Sequence, residues 1–338
     1  MSLHDLDSLR PHATALVGDV GGTNCRLALA QCVDGQVSLT NPTRYKCADF
    51  ASAEEAIDLY LTSMHWRPPI AAVIAIAGPV SGGVVKSTNM PWRMSEAALQ
   101  AYGVGKAKLI NDYTALALSV DQLTEADLAD IGPKLAGDLT QTVAVIGAGT
   151  GFGAGALARG VGGPTAIATE GGHVSFAPVD EVEIEILRLL TRRFGRVSIE
   201  RLLSGPGLAN LRWALSEIEG RPLGDLPSED IVCEAEAGDL LCQHALHRFC
   251  AIYGSVAGDV ALIYGARGGV LLGGGIAPGI AKHLQNGAFR RRFEEKGRFG
   301  GYLAAIPTRM IMHAYAALLG SAVLASSLLG VEDRAAGG

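Results

Sequence analysis

The chain has 338 residues, enough for two packed cores where a domain usually takes about 100 to 200 residues. Hydrophobic residues make up 49% of it and charged residues 18%, so apolar burial can offset the entropy of ordering, and global disorder is excluded. Lys and Arg number 28 against 34 Asp and Glu, a net charge of -6, and Arg290-Arg291-Arg292 is answered by Glu294 and Glu295; sequence-independent nucleic-acid binding is a poor fit.

Residues 1–12 are polar, carry Asp5, Asp7 and Arg10 without an apolar run, and read as a flexible leader. Ala13 to Val20 is a short apolar run that breaks at Gly21-Gly22-Thr23-Asn24 and resumes from Arg26 to Gln31, which predicts strand, tight glycine turn, strand. Asp34-Gly35 signals a second hairpin before Val37 to Tyr45, so three antiparallel strands are expected. Ser52 with Glu55 makes a capping box ahead of Ala56, Ile57, Tyr60 and Leu61, whose spacing is helical. Ile70 to Ala77 reads as a buried strand stopped by Gly78-Pro79. A strand from Val84 to Thr88, a helix from Ser95 to Tyr102, a strand from Ala107 to Ile110 and a helix starting near Asp112 follow. Mixed β followed by alternating βα is an α/β signature.

Asp121 to Asp138 is polar and reads as loop, and Thr142 to Ile146 then opens a second domain, running into Gly147-Ala148-Gly149-Thr150-Gly151-Phe152-Gly153-Ala154-Gly155. Laying Val17 to Ala30 over Ile146 to Arg159 matches Gly18 with Gly147 and Gly22 with Gly151, a weak internal repeat in which Ala148 stands at the place of Asp19. Glu181 to Arg267 is mostly helical, interrupted by Ser204-Gly205-Pro206-Gly207 and by a turn at Arg221-Pro222. Gly269 to Leu272 reads as the last apolar strand and ends in Gly273-Gly274-Gly275. No stretch approaches 18 purely apolar residues; Ala316 to Val331 comes closest and, with its serines, reads as a C-terminal helix. The expected division is a small α/β domain of residues 13–120 with 313–332 and a large one of 121–312. The six cysteines show no CxxC and read as reduced thiols of a cytoplasmic protein.

Glycine accounts for 44 residues, nearly twice the usual share of about 7%, and gathers in three turns that each end an apolar run. Backbone N–H groups in such turns converge on an anion with no Cβ in the way, so three together point to a nucleotide, although any one alone reads equally well as a plain hairpin. Neither GxxxxGK[ST] nor GxGxxG is present, which excludes a P-loop and a dinucleotide fingerprint. Gly18-Asp19-Val20-Gly21-Gly22-Thr23-Asn24-Cys25-Arg26, Ile110-Asn111-Asp112-Tyr113-Thr114-Ala115, Gly147-Ala148-Gly149-Thr150-Gly151, Glu170-Gly171-Gly172-His173 and Leu272-Gly273-Gly274-Gly275-Ile276-Ala277 together resemble the bacterial ATP-dependent glucokinases, in order and spacing, from about Ala15 to Leu329. The resemblance implies the two-domain actin-like ATPase (ribonuclease H-like) α/β fold of the hexokinases. It also implies ATP and sugar in an interdomain cleft that closes around them, and a cytoplasmic homodimer.

Phosphoryl transfer to a hydroxyl needs a base at that hydroxyl, charge compensation at the phosphoryl group, and alignment. Asp112, between a buried-looking strand and a helix, is the candidate base, but Asp there is also an ordinary N-cap; the resemblance makes it the acceptor of the sugar 6-hydroxyl proton. Asn111 could bond a neighbouring hydroxyl or form an Asx turn. Glu170 and His173, flanking two glycines, could meet adjacent hydroxyls or lie on the surface, and Glu200 could be a first-turn helix charge. The resemblance makes Asn111, Asp112, Glu170, His173 and Glu200 the sugar ligands.

Asp19 is the sole acid in the first glycine segment, and a carboxylate among phosphates calls for a cation, Mg²⁺ held largely through water. In the nucleotide site that the resemblance implies, Gly18 and Val20 flank Asp19, and Gly21, Gly22 and Thr23 cradle the outer phosphates. Gly149, Thr150 and Gly151 form an opposing clasp, while Gly273, Gly274 and Gly275 pass close to adenine and ribose. Thr88-Asn89 resembles a further segment near the sugar, or is a turn.

Cys242, His244, His247 and Cys250 suggest zinc, but on a helix of 3.6 residues per turn the two cysteines point away from the His pair. Val174 to Asp180 also lacks the cysteine cluster of the related ROK kinases, so no zinc is expected. The reading is therefore an ATP-dependent glucokinase acting on D-glucose at the 6-hydroxyl in glycolysis, with Mg-ATP as donor. Alternatives are a kinase for another hexose or N-acetylhexosamine, and a non-catalytic sugar-sensing regulator on the same fold. The 14 residues before Ala15 are too few for a helix-turn-helix, and neither nucleic acid nor a membrane is expected as a partner.

Overall fold

The structure, a computed structural model, describes residues 14–33, 36–65, 69–85, 92–224 and 226–330. The chain folds as two units, one reaching to Thr124 and taking up the chain again from His313, the other running from Glu125 to Met312. Residues 1–12, Asp34-Gly35 and Thr88-Asn89, each given a reading above, lie outside the described residues.

In the first unit β1 (Thr14–Val20), β2 (Asn24–Val33) and β3 (Gln36–Lys46) are antiparallel, as their glycine and apolar pattern predicts. Both faces of β1 are covered, Leu16 and Val20 in one core and Ala15 and Val17 in another, which is why its sequence is continuously apolar. In α1 (Ala53–Ser63) Ser52 Oγ accepts the Glu55 N–H, while the Glu55 carboxylate accepts the Ala51 N–H one residue further out than a capping box requires. The wholly buried β4 (Ala71–Ile76) is followed by the short hairpin β5 (Val80–Ser81) and β6 (Val84–Val85), then α2 (Glu96–Tyr102), β7 (Lys106–Asn111) and α3 (Asp112–Leu118). Of the strand expected from Val84 to Thr88, only β6 falls within the described residues. The sheet order is β3-β2-β1-β4-β7, with β4 parallel to both β1 and β7.

The C-terminal helix Ala316–Leu329 covers the face of this sheet that carries Ala15, Val17 and Val73, and it crosses α3. The crossing is set by Gly320, where a Cβ would stand 1.7 Å from the Ala115 carbonyl oxygen and 3.0 Å from the Ser119 nitrogen. Gly320→Ala must therefore push backbone apart and is expected to destabilise by about 1 to 3 kcal/mol or more. Urea unfolding checks this, and a wild-type midpoint would show that the two helices do not meet here.

The second unit holds β8 (Leu128–Asp130), β9 (Val143–Ala148), β10 (Phe152–Gly160), β11 (Gly163–Ala168), α4 (Glu181–Phe194), α5 (Gly205–Glu219), α6 (Ile231–Ala237), α7 (Leu240–Tyr264), β12 (Gly269–Gly273), α8 (Ala288–Glu294) and β13 (Thr308–Ile311), with further short helices. Its sheet order is β11-β10-β9-β12-β13-β8. Without β8 this repeats the first sheet: two antiparallel neighbours, then two parallel ones. The internal repeat is thus a repeat of topology. Its residue overlay holds only at the turn, because Val20 pairs with Cys25 whereas Ala148 pairs with Phe152, which makes the second turn one residue shorter.

Three readings need correction here. The stretch from Asp121 to Asp138 is not all loop, since it contains β8, an edge strand antiparallel to β13. Gly269 to Leu272 is not the last strand, because β13 follows it. Both missed strands are too short to show a period, and they exist through their neighbours in the sheet. Ser204-Gly205-Pro206-Gly207 does not interrupt helix; it starts one, with Ser204 Oγ accepting the Gly207 N–H and Pro206 in the first turn of α5.

By length and composition α7 could cross a membrane, but 72% of its apolar window is buried inside the protein, so it is a core helix. Cys242 and Cys250 on it are buried, and His244 pairs with Glu219 at 2.8 Å. Among the described residues no three His, Cys, Asp or Glu gather as a metal site would need.

Candidate active site

Val20, Ile76 and Asn111 form one row across β1, β4 and β7, so the first glycine turn and the Asn111-Asp112 pair leave the same edge of the sheet. At a strand spacing of about 4.8 Å, two steps put them about 10 Å apart. In the turn, the Gly21 N–H donates to the Asn24 carbonyl at 2.9 Å, and the Thr23 carbonyl accepts from Cys47 N–H. Among the described residues the amides of Gly22 and Thr23 have no intramolecular acceptor, which leaves them open to an anion. The expectation that Gly21 shares in this is corrected: its amide closes the turn.

Gly18 and Val20 also serve the packing of the sheet. A Cβ on Gly18 would meet Ile74 Cδ1 at 2.7 Å, so glycine is needed there for packing within the sheet, and the Val20 side chain is core. Asp19 is half-buried and paired with Arg26 across the hairpin, Oδ2 to Nη1 2.7 Å. Burial pushes its carboxyl above the usual carboxylate range, with the guanidinium opposing the shift.

Asn111, not Asp112, is the N-cap of α3: its Oδ1 accepts the Tyr113 and Thr114 N–H groups, while its Nδ2 donates to the Gly78 carbonyl at 3.3 Å. Its acceptor is therefore committed, and a donor hydrogen is what it has to offer a ligand. Asp112 stands one residue inside the helix, half-buried, with Oδ1 accepting the Tyr113 N–H at 3.0 Å. The cap is complete without it, and the first-turn amides favour a carboxylate at this place.

In the second unit Gly147 and Gly273 are cross-strand partners at the ends of parallel β9 and β12, so the other two glycine turns share an edge. Gly274, at φ +82, lies so close to Ala148 that a Cβ would meet its carbonyl oxygen at 2.5 Å. In the Gly149-Thr150-Gly151 turn the amides of Thr150 and Gly151 have no acceptor among the described residues.

The residues from the Glu170 segment converge on the residue after this turn, Phe152. Gly172 lies flat on it, with room for no side chain, since a Cβ would stand 2.0 Å from the Phe152 carbonyl oxygen. That contact brings Glu170 and His173 beside the turn, both exposed, with Oε2 to Nε2 3.9 Å. The segment is then stitched to Val197–Ile199 by Phe176 N–H to Val197 O at 3.1 Å and Ile199 N–H to Val174 O at 3.0 Å. Arg196 clamps the same junction by donating to the His173 carbonyl at 2.5 Å. Glu200 follows directly, and its Oε2 accepts the Phe152 N–H at 3.0 Å, so it is not a free first-turn helix charge.

Arg26, Arg196 and Phe152 were not legible as site residues. Only Arg26 had a usable signal, because a four-residue turn places it opposite Asp19.

A family model for glucokinase matches residues 16–328. The glucokinase of Caulobacter sp. (strain K31) is 50% identical over 322 residues, 94% of this chain and 97% of that protein. That of Xanthomonas oryzae pv. oryzae (strain MAFF 311018) is 42% identical over 322 residues, covering 93% and 96%. Among solved structures, a glucokinase from an Antarctic psychrotroph superposes with TM-score 0.84 at 34% identity, covering 93% of this chain and 99% of that one. A ROK family glucokinase from Streptomyces griseus, solved with glucose and AMPPNP, reaches TM-score 0.62 at 17% identity over 94% and 99%, a likeness of fold alone. With its five motifs in place on the actin-like α/β fold, the chain belongs to the glucokinase family of sugar kinases.

Proposed function

We propose that this protein transfers the γ-phosphoryl group of ATP to the 6-hydroxyl of D-glucose. The observation that carries the reading is the row Val20, Ile76, Asn111, which sets a turn with open amides and the first-turn carboxylate of Asp112 on one sheet edge. As the sugar oxygen bonds to the γ-phosphorus and the bond to the β–γ bridging oxygen breaks, Asp112 takes the hydroxyl proton and ADP leaves. Asn111, Glu170, His173 and Glu200 hold the sugar. The amides of Gly22, Thr23, Thr150 and Gly151 face phosphate oxygens, and Gly274-Gly275 gives the nucleotide a backbone surface.

The residues fit a Mg²⁺ bound mainly by the nucleotide. One Asp19 oxygen is committed to Arg26, and the single carboxylate left beside the phosphates suits a cation that keeps its waters. When bound, that cation would neutralise charge on the phosphates. Family membership also supports a cytoplasmic homodimer working in glycolysis, and light scattering tests the dimer.

A pocket of hydrogen-bonding groups should reject sugars that leave them unpaired, each such loss costing roughly 1 to 3 kcal/mol for a neutral group and up to ~10⁴-fold in kcat/KM. A coupled assay over glucose, its deoxy analogues, mannose, fructose and N-acetylglucosamine, with ATP, pyrophosphate or polyphosphate, is expected to peak at glucose with ATP. Near-equal kcat/KM across the deoxy series would overturn the pocket, and a peak at another sugar would reassign the substrate.

A further inference from the structure

Glu200 is read above as a sugar ligand, yet its carboxylate is in use within its own unit. Oε2 accepts the N–H of Phe152 at 3.0 Å from 48 residues away. A methyl group on Gly151 would stand 2.4 Å from that same oxygen, so the side chain fills the place of a missing Cβ in the phosphate turn. Two further bonds tie the same parts together. Ser204 Oγ donates to the Glu200 carbonyl at 2.8 Å, and the next residue, Gly205, donates its N–H to the Gly149 carbonyl at 2.9 Å. The turn is thus held at both ends by the segment that carries Glu200.

We propose that Glu200 is a positioning residue for the Gly149-Thr150-Gly151 turn as well as a sugar ligand, and that sugar and nucleotide binding are coupled through its bond to Phe152. This rests on the reading of Glu200 as a sugar ligand. A carboxylate can serve both: Oε2 is bonded to Phe152, and Oε1, which has no partner among the described residues, remains for a hydroxyl. A sugar hydroxyl on Oε1 fixes the side chain, and with it the Phe152 N–H and the turn, before the nucleotide arrives. Linkage then requires the nucleotide to tighten the sugar by the same factor, typically about 5- to 150-fold.

The test is calorimetric titration of the full-length protein with glucose and with AMPPNP, each alone and in the presence of the other. Glu200→Gln keeps an oxygen for Phe152 but loses the charge, so glucose should weaken while AMPPNP alone binds as in wild type. Glu200→Ala should weaken both. Gly151→Ala, inside the phosphate turn, should weaken glucose at least about fivefold with no nucleotide present, because its methyl evicts the carboxylate. Gly160→Ala, at the far end of β10 where a Cβ meets nothing within 4 Å, should leave glucose affinity alone. Wild-type glucose affinity in Gly151→Ala, or full AMPPNP affinity in Glu200→Ala, overturns the coupling. If Glu200→Gln and Glu200→Ala both bind glucose normally, the sugar-ligand reading fails first and takes the coupling with it. The Gln variant is isosteric, so its split between glucose and AMPPNP remains readable even if the Ala variant does not fold.

Discussion

Asp112→Asn is expected to lower kcat by about 10²- to 10⁴-fold, the usual worth of a positioned base, with glucose still binding. The structure makes this substitution unusually clean. Asn111 supplies the cap of α3 through its own Oδ1, so helix stability does not depend on residue 112. An amide at 112 can still accept the Tyr113 N–H that the carboxylate accepts at 3.0 Å, so shape and that bond persist while the ability to take a proton is lost. Steady-state turnover beside calorimetric glucose binding checks it. If more than about a tenth of wild-type kcat survives, another group is the base.

Glu183→Leu should cost about 3 to 5 kcal/mol of stability, the largest expected from any single ion pair in this fold. Glu183 is fully buried in α4, where Arg292 donates to both of its oxygens, at 2.8 and 3.2 Å, and Arg248 donates at 3.1 Å. Its removal leaves the Arg292 guanidinium, 8% exposed, without its principal partner. Urea unfolding of the single variant and of Glu183→Leu with Arg292→Met decides the matter, because the double variant removes the stranded charge and should regain part of the loss. No difference between the two would mean that the cost is one of packing.

The same cluster sets an acid limit. Burial works against the Asp180 charge, but the Glu183 N–H, Arg248 and Arg292 outweigh it and hold its carboxyl below the usual range. Its contribution is therefore complete above the unfolded-state carboxylate value and disappears as pH falls through the lowered one.

Long elements were legible because their burial is written in local pattern. β1, β4 and β9 are covered on both faces and read as apolar runs, and α1 announces itself by Ser52 and Glu55. The three glycine turns stood out by composition, and the motifs around Asp112 and Glu170 by resemblance. Individual roles within those motifs were not legible. Asp112 and Asn111 are both good N-caps by type, and only the φ/ψ path of the chain, with Asn111 extended and Asp112 helical, assigns the cap to Asn111 and places Asp112 in the first turn. Gly18 and Gly22 look alike in sequence, yet one is a packing glycine beside Ile74 and the other sits at an open turn.

The sequence by itself determined the α/β class, the family, and the short segments on which the proposed chemistry rests, because strand apolarity, turn glycines and motif residues are local properties of the chain. Tertiary structure alone decided the partners: Asp19 with Arg26 by hairpin register, β8 and β13 by pairing with each other, and Glu200 with Phe152 across 48 residues. Apart from the Asp19–Arg26 pair, which the turn length relates, those contacts join residues that no local pattern relates. They form because a buried N–H, carboxylate or guanidinium that leaves water must find its bond wherever the fold brings a partner.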